Sequence, residues 1–277
     1  MPLTTNQYVN VLVDVFTPSP SEFDAARGHR ASIETSLKSG LQAFGLIETG
    51  SLSHGTAVSR RSDADYFVLL PGPRPLASTA LSKVRDTLKF RFPSTQIRVS
   101  SPAVVCKFVG TDRSVEIIPA YSNGDGGFLI PDPQSGGWME SNPRRHLDYV
   151  TAVSKKHNGD PKKMIRLLKA WKYTKGVPIS SFYLEMRGAK HAAGIDAFII
   201  FWNLCLTLEK MVETGLVAMN DPTKTGPRFN ACSTEAYRQD ALSRTRTAAV
   251  HARRAVTAYK ADQHDVAIKE LKLLFGL

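Results

Sequence analysis

The hydrophobic pattern of this chain changes its period along the sequence, and this change limits the folds that the chain can adopt. Between Phe44 and Pro119, short apolar runs alternate with Gly, Pro and Ser, as in strands separated by turns. After residue 150, apolar residues recur at helical spacing. The sequence therefore predicts an α/β (α+β) fold, in which a lobe with a mixed sheet, residues 1–150, precedes a helical lobe, residues 151–277. The expected strands are Phe44–Glu48, Tyr66–Leu70, Ile97–Val99, Val104–Val109 and Val115–Ile118.

Capping signals predict where the helices begin and end. Ser19-Pro20-Ser21-Glu22 is a capping box, and the apolar residues after it predict one amphipathic helix that continues to Leu41. Tyr121–Pro143, rich in Gly, Asp and Pro, is expected to be a loop that lines a binding site. The other expected helices are Leu76–Phe90, one beginning at Asp160-Pro161, one capped by Ser180-Ser181, and Ala197–Thr214, Thr234–Ala261 and Asp265–Phe275.

Positive charge is concentrated in the second half of the chain. The 277 residues carry a net charge of +11. Residues 1–150 contain 15 basic and 14 acidic residues, whereas residues 151–277 contain 21 and 11. This excess indicates a polyanionic partner, such as a nucleotide, a nucleic acid or an anionic surface.

The three cysteines indicate neither a disulfide framework nor a zinc site. Cys106, Cys205 and Cys232 lie far apart, without a CxxC motif or a Cys/His cluster. The longest apolar run, Ala197–Leu208, is too short to span a bilayer, and the N-terminus does not have the pattern of a signal peptide. We therefore expect a protein of the reducing cytoplasm that has no membrane partner.

Gly50 and Ser51 stand where a strand is expected to turn into a short helix. Such a turn offers free backbone N–H groups, the positive end of a helix dipole and a hydroxyl group, which together suit a phosphate. A Gly-Ser pair is also a common turn that binds nothing. His54, in the same short helix, is expected to be an ordinary surface residue.

Asp63 and Asp65 are two residues apart at the start of a predicted strand. Side chains with this spacing point to the same face, about 6.6–6.8 Å apart, so both carboxylates can hold metal ions between them. Two magnesium ions about 3.5–4 Å apart need such a bridging pair. The alternative is a solvated turn, but two adjacent carboxylates at the edge of a core repel each other unless a cation lies between them. Glu116, inside another apolar strand, would be the third carboxylate of such a site; alone, it would be an edge-strand residue that faces water.

Together, these residues resemble the DNA polymerase β-like nucleotidyltransferases. Their spacing resembles more narrowly the CD-NTases, bacterial relatives of cyclic GMP-AMP synthase and oligoadenylate synthase. The second half is also similar to the helical lobe of that family, and the resemblance covers nearly the whole chain. The segments that carry the resemblance in this half are Ile165–Lys172, Ser180–Glu185, Asn220-Asp221-Pro222 and Leu274-Phe275-Gly276.

The resemblance implies a role for each candidate residue. Asp63, Asp65 and Glu116 would be catalytic and would bind two Mg²⁺ ions, for which Mn²⁺ can substitute. Glu116 stands where many relatives carry Asp. The implied substrate-binding residues are Gly50, Ser51, Lys169 and Ser181, which would hold the donor triphosphate, and Phe182, whose ring would stack on a base. The alternatives are a solvated basic face for Lys169 and packing in the core for Phe182.

The resemblance also implies a function. The enzyme would join ribonucleoside triphosphates into a cyclic oligonucleotide second messenger, with release of pyrophosphate, in antiphage (CBASS-type) signalling. Its partners would be nucleoside triphosphates, an effector reached through the product, and regulatory proteins; nucleic acid would not be required. Two alternatives are a nucleotidyltransferase that acts on RNA or protein, and a non-catalytic basic module that binds nucleic acid.

Overall fold

The computed structural model describes residues 2–109 and 113–277, which form two compact units. The sheet unit consists of Pro18–Leu147 and Thr223–Pro227, and the helical unit consists of residues 2–17, Asp148–Pro222 and Arg228–Leu277. The strands are β1 (Gly45–Thr49), β2 (Ala64–Leu69), β3 (Gln96–Ser100), β4 (Ala103–Lys107), β5 (Ser114–Ser122), β6 (Phe128–Pro131) and β7 (Trp138–Ser141). The helices are α1 (Thr5–Phe16), α2 (Pro20–Arg27), α3 (Arg30–Leu41), α4 (Gly50–His54), α5 (Ala77–Arg91), α6 (Pro143–Lys156), α7 (Asp160–Thr174), α8 (Ser181–Ala193), α9 (Ile200–Glu213), α10 (Glu235–Lys260) and α11 (His264–Phe275).

The main sheet has the strand order β1-β2-β5-β4-β3. Strands β2 and β5 are parallel, whereas the other neighbouring strands in this order are antiparallel. A parallel pair needs a crossover connection, and the chain between β2 and β5 provides it through α5, β3 and β4. The predicted mixed sheet is therefore confirmed.

The two faces of the sheet differ because side chains alternate along each strand. On β2, Ala64, Tyr66 and Val68 are buried in the main hydrophobic core, to which α3 and α5 contribute their apolar residues. Asp65 and Phe67, which lie between them in the sequence, project from the opposite face. On that face, Phe67 belongs to a second, smaller apolar cluster that includes residues of β6.

The region predicted as one amphipathic helix up to Leu41 forms two helices. The capping box at Ser19 is present, but α2 ends at Arg27, with Gly28 as its C-cap, and α3 begins at Arg30. Glycine weakens a helix because it has no side chain to restrict its backbone. The ring of His29, at the break, stacks on Phe108 with 3.7 Å between the ring centroids, so a tertiary contact replaces the continuous helix.

The prediction of an extended loop at Tyr121–Pro143 is wrong in part, because this segment contains a β-hairpin. The end of β5 pairs with β6, and β6 pairs with β7. The ring of Phe128 packs edge-on against Phe67 at 6.0 Å. The hairpin therefore covers part of the face from which Asp65 projects, and its Gly and Asp residues occupy the turns.

The helical unit is organised around α7 and α10. Trp171 of α7 and Phe201 of α9 are among its fully buried side chains. Helix α10 is 26 residues long and packs against α9 and α11. Helix α1 packs against α7 and α11, and residue 150 lies within α6. The observed units therefore differ from the predicted division at residue 150, because the first 17 residues complete the helical core.

No helix in residues 2–109 or 113–277 combines the length and apolar character needed to cross a bilayer. Helix α9, which contains the most apolar run of the chain, is amphipathic. Its Leu204, Cys205 and Leu208 are buried within the helical unit. Packing inside the protein therefore accounts for this run.

Candidate active site

Two neighbouring strands, β2 and β5, bring Asp65 and Glu116 to one face of the sheet, and β1 ends beside them. Thr49, at the end of β1, is in register with Asp65 of β2, and Asp65 is in register with Glu116 of β5. Residues in direct register on adjacent strands project from the same face, with the strands about 4.8 Å apart. Asp63 lies directly before β2, close enough to Glu116 for its negative charge to raise the pKa of that carboxyl group. We name this surface, which carries Asp63, Asp65 and Glu116, the carboxylate face.

The carboxylate face concentrates negative charge in a partly buried position. Burial raises the pKa of the Glu116 carboxyl group, the negative charge of Asp63 raises it further, and the positive charge of Arg98 opposes the increase. Asp63 is oriented by the backbone, since its Oδ1 accepts a hydrogen bond from the N–H of Ser114 at 2.9 Å. Such a group of acids is unfavourable without a nearby cation.

The turn after β1 places the backbone directly against one of these acids. Gly50 has a φ of +66°, and a Cβ atom on it would lie 1.9 Å from Oδ2 of Asp65. Glycine is therefore required both by the backbone conformation and by the close approach. Gly50 and Ser51 begin the short helix α4, as predicted. His54, at the other end of α4, was expected on the surface but is only 4% exposed, because α4 packs against β1 and β2.

The carboxylate face fits a divalent cation in the type of its donors. Carboxylate oxygens are the ligands that Mg²⁺ prefers, and the repulsion between Asp63 and Glu116 would be relieved by a cation. Within residues 2–109 and 113–277, however, no three His, Cys, Asp or Glu side chains are gathered closely enough to form a metal-binding cluster. Binding of a cation would therefore have to draw the three carboxylates together.

Lys169 lies inside the helical unit, so the alternative of a solvated basic face does not apply to it. Its side chain is 2% exposed and forms a salt bridge with Glu185 of α8. Its neighbours in the sequence, Leu168 and Ala170, are also fully buried. A role in holding triphosphate remains a prediction, and it requires the Lys169 ammonium group to exchange Glu185 for phosphate.

Ser181 is the first residue of α8, but Ser180 caps the helix. The Oγ of Ser180 accepts a hydrogen bond from the N–H of Tyr183 at 3.3 Å. The Oγ of Ser181 accepts a hydrogen bond from Nζ of Lys172 at 2.7 Å. Lys172 was not among the predicted binding residues. The structure makes it a candidate for phosphate binding, because it is half-buried and contacts the predicted serine.

Phe182 remains accessible at the start of α8. Its side chain is 36% exposed, and its ring packs against Phe229 with 4.8 Å between the centroids and an angle of 57° between the planes. Phe229 was not predicted, because it lies far along the chain in a segment that pairs with Met219. Neither its spacing nor its local pattern distinguishes it from a core aromatic residue.

The buried pair of Lys169 and Glu185 gives a prediction about stability. Glu185→Gln removes the negative charge that neutralises the buried ammonium group, and we expect the free energy of unfolding to fall by about 3–5 kcal/mol. Urea denaturation measures this change. Glu213→Gln, which breaks an exposed pair with Lys210, is the matched control and should cost no more than about 1 kcal/mol. Equal effects of the two variants would show that the buried pair contributes no more than a surface pair.

The strand order, the crossover and the acids in register with each other define the class of this protein. It has the same fold as E. coli MS115-1 CdnC and the Vibrio cholerae di-nucleotide cyclase DncV. Residues 3–154 match the family model of the Second Messenger Oligonucleotide or Dinucleotide Synthetase domain (SMODS), and the chain belongs to this family. The resemblance to the CD-NTases that was found in the sequence is therefore confirmed.

Known relatives agree with this assignment. The cyclic AMP-AMP-AMP synthase of Acinetobacter sp. (strain ATCC 27244 / 9458) is 24% identical over 207 residues, which are 68% of this chain and 58% of the relative. The structure of E. coli MS115-1 CdnC with ATP is similar with a TM-score of 0.76 and 19% identity, covering 99% of this chain and 98% of CdnC. The structure of CdnC in complex with HORMA-deltaN is similar with a TM-score of 0.74 and 20% identity, covering 99% and 97%. The chain spans about half the length of the curated relatives that it matches.

Proposed function

We propose that this protein joins ribonucleoside triphosphates into a cyclic oligonucleotide second messenger and releases pyrophosphate, in antiphage (CBASS-type) signalling. The observation that carries the proposal is the register that places Asp65 beside Glu116, with the backbone of Gly50 directly against Asp65. The turn at Gly50, which we propose binds phosphate, thus lies next to an acid that is in register with a second one. Membership of the SMODS family supports the same activity.

The acids of the carboxylate face would hold the metal. Asp63, Asp65 and Glu116 would bind two Mg²⁺ ions, for which Mn²⁺ can substitute. The bound ions would lower the pKa of the attacking ribose hydroxyl and neutralise the phosphate charge. Glu116, in register with Asp65, would lie beside the attacking hydroxyl and would help to accept its proton.

The remaining candidates would bind and orient the nucleotide. The backbone N–H groups of Gly50 and Ser51 would hold the donor triphosphate. In the helical unit, Ser181 with Lys172 would bind phosphate, and Lys169 would join them if its pair with Glu185 opens. Phe182 would stack on a base, because its ring is accessible. We also propose that the sheet unit is the catalytic lobe and that the helical unit carries nucleotide-binding residues.

The relatives suggest which product to look for first. Two curated relatives are named cyclic AMP-AMP-AMP synthase, so a cyclic trinucleotide of adenosine is the first candidate, with other cyclic di- and trinucleotides next. CdnC has been solved in complex with HORMA-deltaN, and we propose that a regulatory protein binds this chain as well. The effector would be reached through the product.

The function is tested by incubating the protein with Mg²⁺ or Mn²⁺ and each combination of the four ribonucleoside triphosphates. We expect pyrophosphate release and phosphatase-resistant products that mass spectrometry identifies as cyclic oligonucleotides. Products that form only with an added RNA or protein would support a nucleotidyltransferase of another kind. Salt-sensitive nucleic-acid binding without pyrophosphate release, unchanged by Asp63→Ala with Asp65→Ala, would identify a non-catalytic module instead.

A further inference from the structure

The carboxylate face continues beyond the acids onto the other edge of the sheet. Glu116 of β5 is in register with Val105 of β4, and Val105 is in register with Arg98 of β3. One row further along the strands, Ser114 is in register with Lys107. Since residues in direct register share a face, Arg98 and Lys107 project from the same surface as Asp65 and Glu116.

These two cations are available for a ligand. Both side chains are exposed. Within residues 2–109 and 113–277, no carboxylate oxygen lies within 4.0 Å of either charged group. Arg98 is close enough to Glu116 for its positive charge to oppose the increase in the pKa of the Glu116 carboxyl group, although no salt bridge joins the two residues. The positive charge therefore lies beside the acids without being neutralised by them.

The order of strands gives this pair of cations a particular place in the reaction. Across the sheet, the Gly50 turn follows β1, the acids lie on β2 and β5, and the cations lie on β4 and β3. The Cα atoms of Arg98 and Glu116 are two strand spacings apart, about 10 Å. A donor triphosphate at Gly50 and a second anion at Arg98 and Lys107 would thus lie on opposite sides of the acids.

The chemistry of ring formation requires a second anion of the same kind. Joining n nucleoside triphosphates into a ring forms n phosphodiester bonds and releases n pyrophosphates, one from each nucleotide. When the first bond forms, the acceptor gives only its hydroxyl group and must keep its own 5′-triphosphate for a later attack. An enzyme that makes rings therefore has to accommodate two triphosphates at the same time, at the donor and at the acceptor.

We propose that Arg98 and Lys107 bind the 5′-triphosphate of the acceptor nucleotide and so position its hydroxyl group beside Glu116. This inference depends on the proposed function and adds to it a second triphosphate site on the β3–β4 edge. Arg98 and Lys107 are positioning residues, because they act on the acceptor phosphates and not on the reacting atoms. Charge-assisted hydrogen bonds to phosphate suit both side chains.

The test isolates the first bond. The donor is 2′,3′-dideoxy-ATP, which has no ribose hydroxyl group and therefore cannot act as an acceptor. Two acceptors are compared. The first is α,β-methylene-ATP, which carries a triphosphate but cannot act as a donor, and the second is adenosine, which carries no phosphate. Pyrophosphate release then reports one bond. The measured quantity is the ratio of kcat/KM for α,β-methylene-ATP to kcat/KM for adenosine. We expect each of the variants Arg98→Ala and Lys107→Ala to lower this ratio about tenfold. Arg98→Lys should recover part of this ratio.

The controls are Arg91→Ala and Lys89→Ala. Both residues are exposed cations on α5, the helix that packs on the opposite face of the sheet, and should leave the ratio unchanged. An unchanged ratio in Arg98→Ala and Lys107→Ala, with an active wild-type enzyme, would overturn this inference and leave the proposed function intact. A ratio that falls equally in the α5 controls would also overturn it, because net charge alone would then explain the effect.

A binding measurement separates this inference from the proposed function. Calorimetric titration with inorganic tripolyphosphate in metal-free buffer should show at least about tenfold weaker binding to Arg98→Ala with Lys107→Ala than to Arg91→Ala with Lys89→Ala. If the wild-type protein releases no pyrophosphate from any nucleotide but this difference is found, the proposed function fails and the anion site stands. If the two double variants bind equally, the site is refuted.

Discussion

Asp65→Asn will reduce the rate of pyrophosphate release at least about 1,000-fold, and Asp63→Asn will reduce it by nearly as much. Each substitution keeps the shape of the side chain but removes the negative charge that a divalent cation needs. A 1,000-fold loss corresponds to about 4 kcal/mol of transition-state stabilisation, which is within the range for loss of a metal ligand. Initial rates with saturating Mg²⁺ and the preferred nucleotide measure the effect.

The same variants will keep their fold. In metal-free buffer, we expect the melting temperature to stay the same or rise slightly, because the acids of the carboxylate face repel one another. The matched control is Asp86→Asn, an exposed acid of α5 that pairs with Arg85, which should retain full activity. Severe destabilisation of both Asp63→Asn and Asp65→Asn would instead assign these acids a structural role.

Gly50→Ala will be the second most damaging substitution, with activity at least about 100-fold lower. The new methyl group would lie 1.9 Å from Oδ2 of Asp65, so either the turn or the carboxylate must move. The φ of +66° adds strain of about 1 kcal/mol for a residue with a Cβ atom. A shift of about 1 Å in a catalytic group is enough to cost about two orders of magnitude.

Two controls separate the clash from the backbone strain. Gly136→Ala has a similar φ of +73° with nothing within 4 Å of the new Cβ atom, so it shows the effect of strain alone. In a double-mutant cycle, Asp65→Ala removes the carboxylate from the contact. The loss of unfolding free energy caused by Gly50→Ala should then be smaller in the Asp65→Ala background than in the wild type. Additive effects would mean that Gly50 and Asp65 do not interact.

Much of the local structure could be predicted from the sequence. The spacing of Asp63 and Asp65 before an apolar strand predicted that both would project from one face, because alternation is a property of any strand. Ser19 caps α2 and Asp160-Pro161 begins α7, as predicted, because these signals depend on residues within a single turn. The turn at Gly50 was predictable for the same reason.

Other features of the candidate site were not predictable in this way. The parallel pairing that places Glu116 beside Asp65 joins two strands separated by α5, β3 and β4. Lys169 has the pattern of a residue on a basic face, but its pair with Glu185 draws it into the core. The hairpin of β6 and β7 lies in a segment whose Gly and Asp content is typical of a loop.

The amino-acid sequence alone predicted the five strands of the main sheet, most of the helices, the candidate acids and the turn at Gly50. These features depend on alternation, capping and backbone preference, which act over a few residues. The tertiary structure decided which acid lies next to which, where Lys169 is buried, and that Arg98 and Lys107 share a surface with Glu116. Strand register and burial depend on which distant segments meet. A strand can remove its apolar face from water only by packing against such segments.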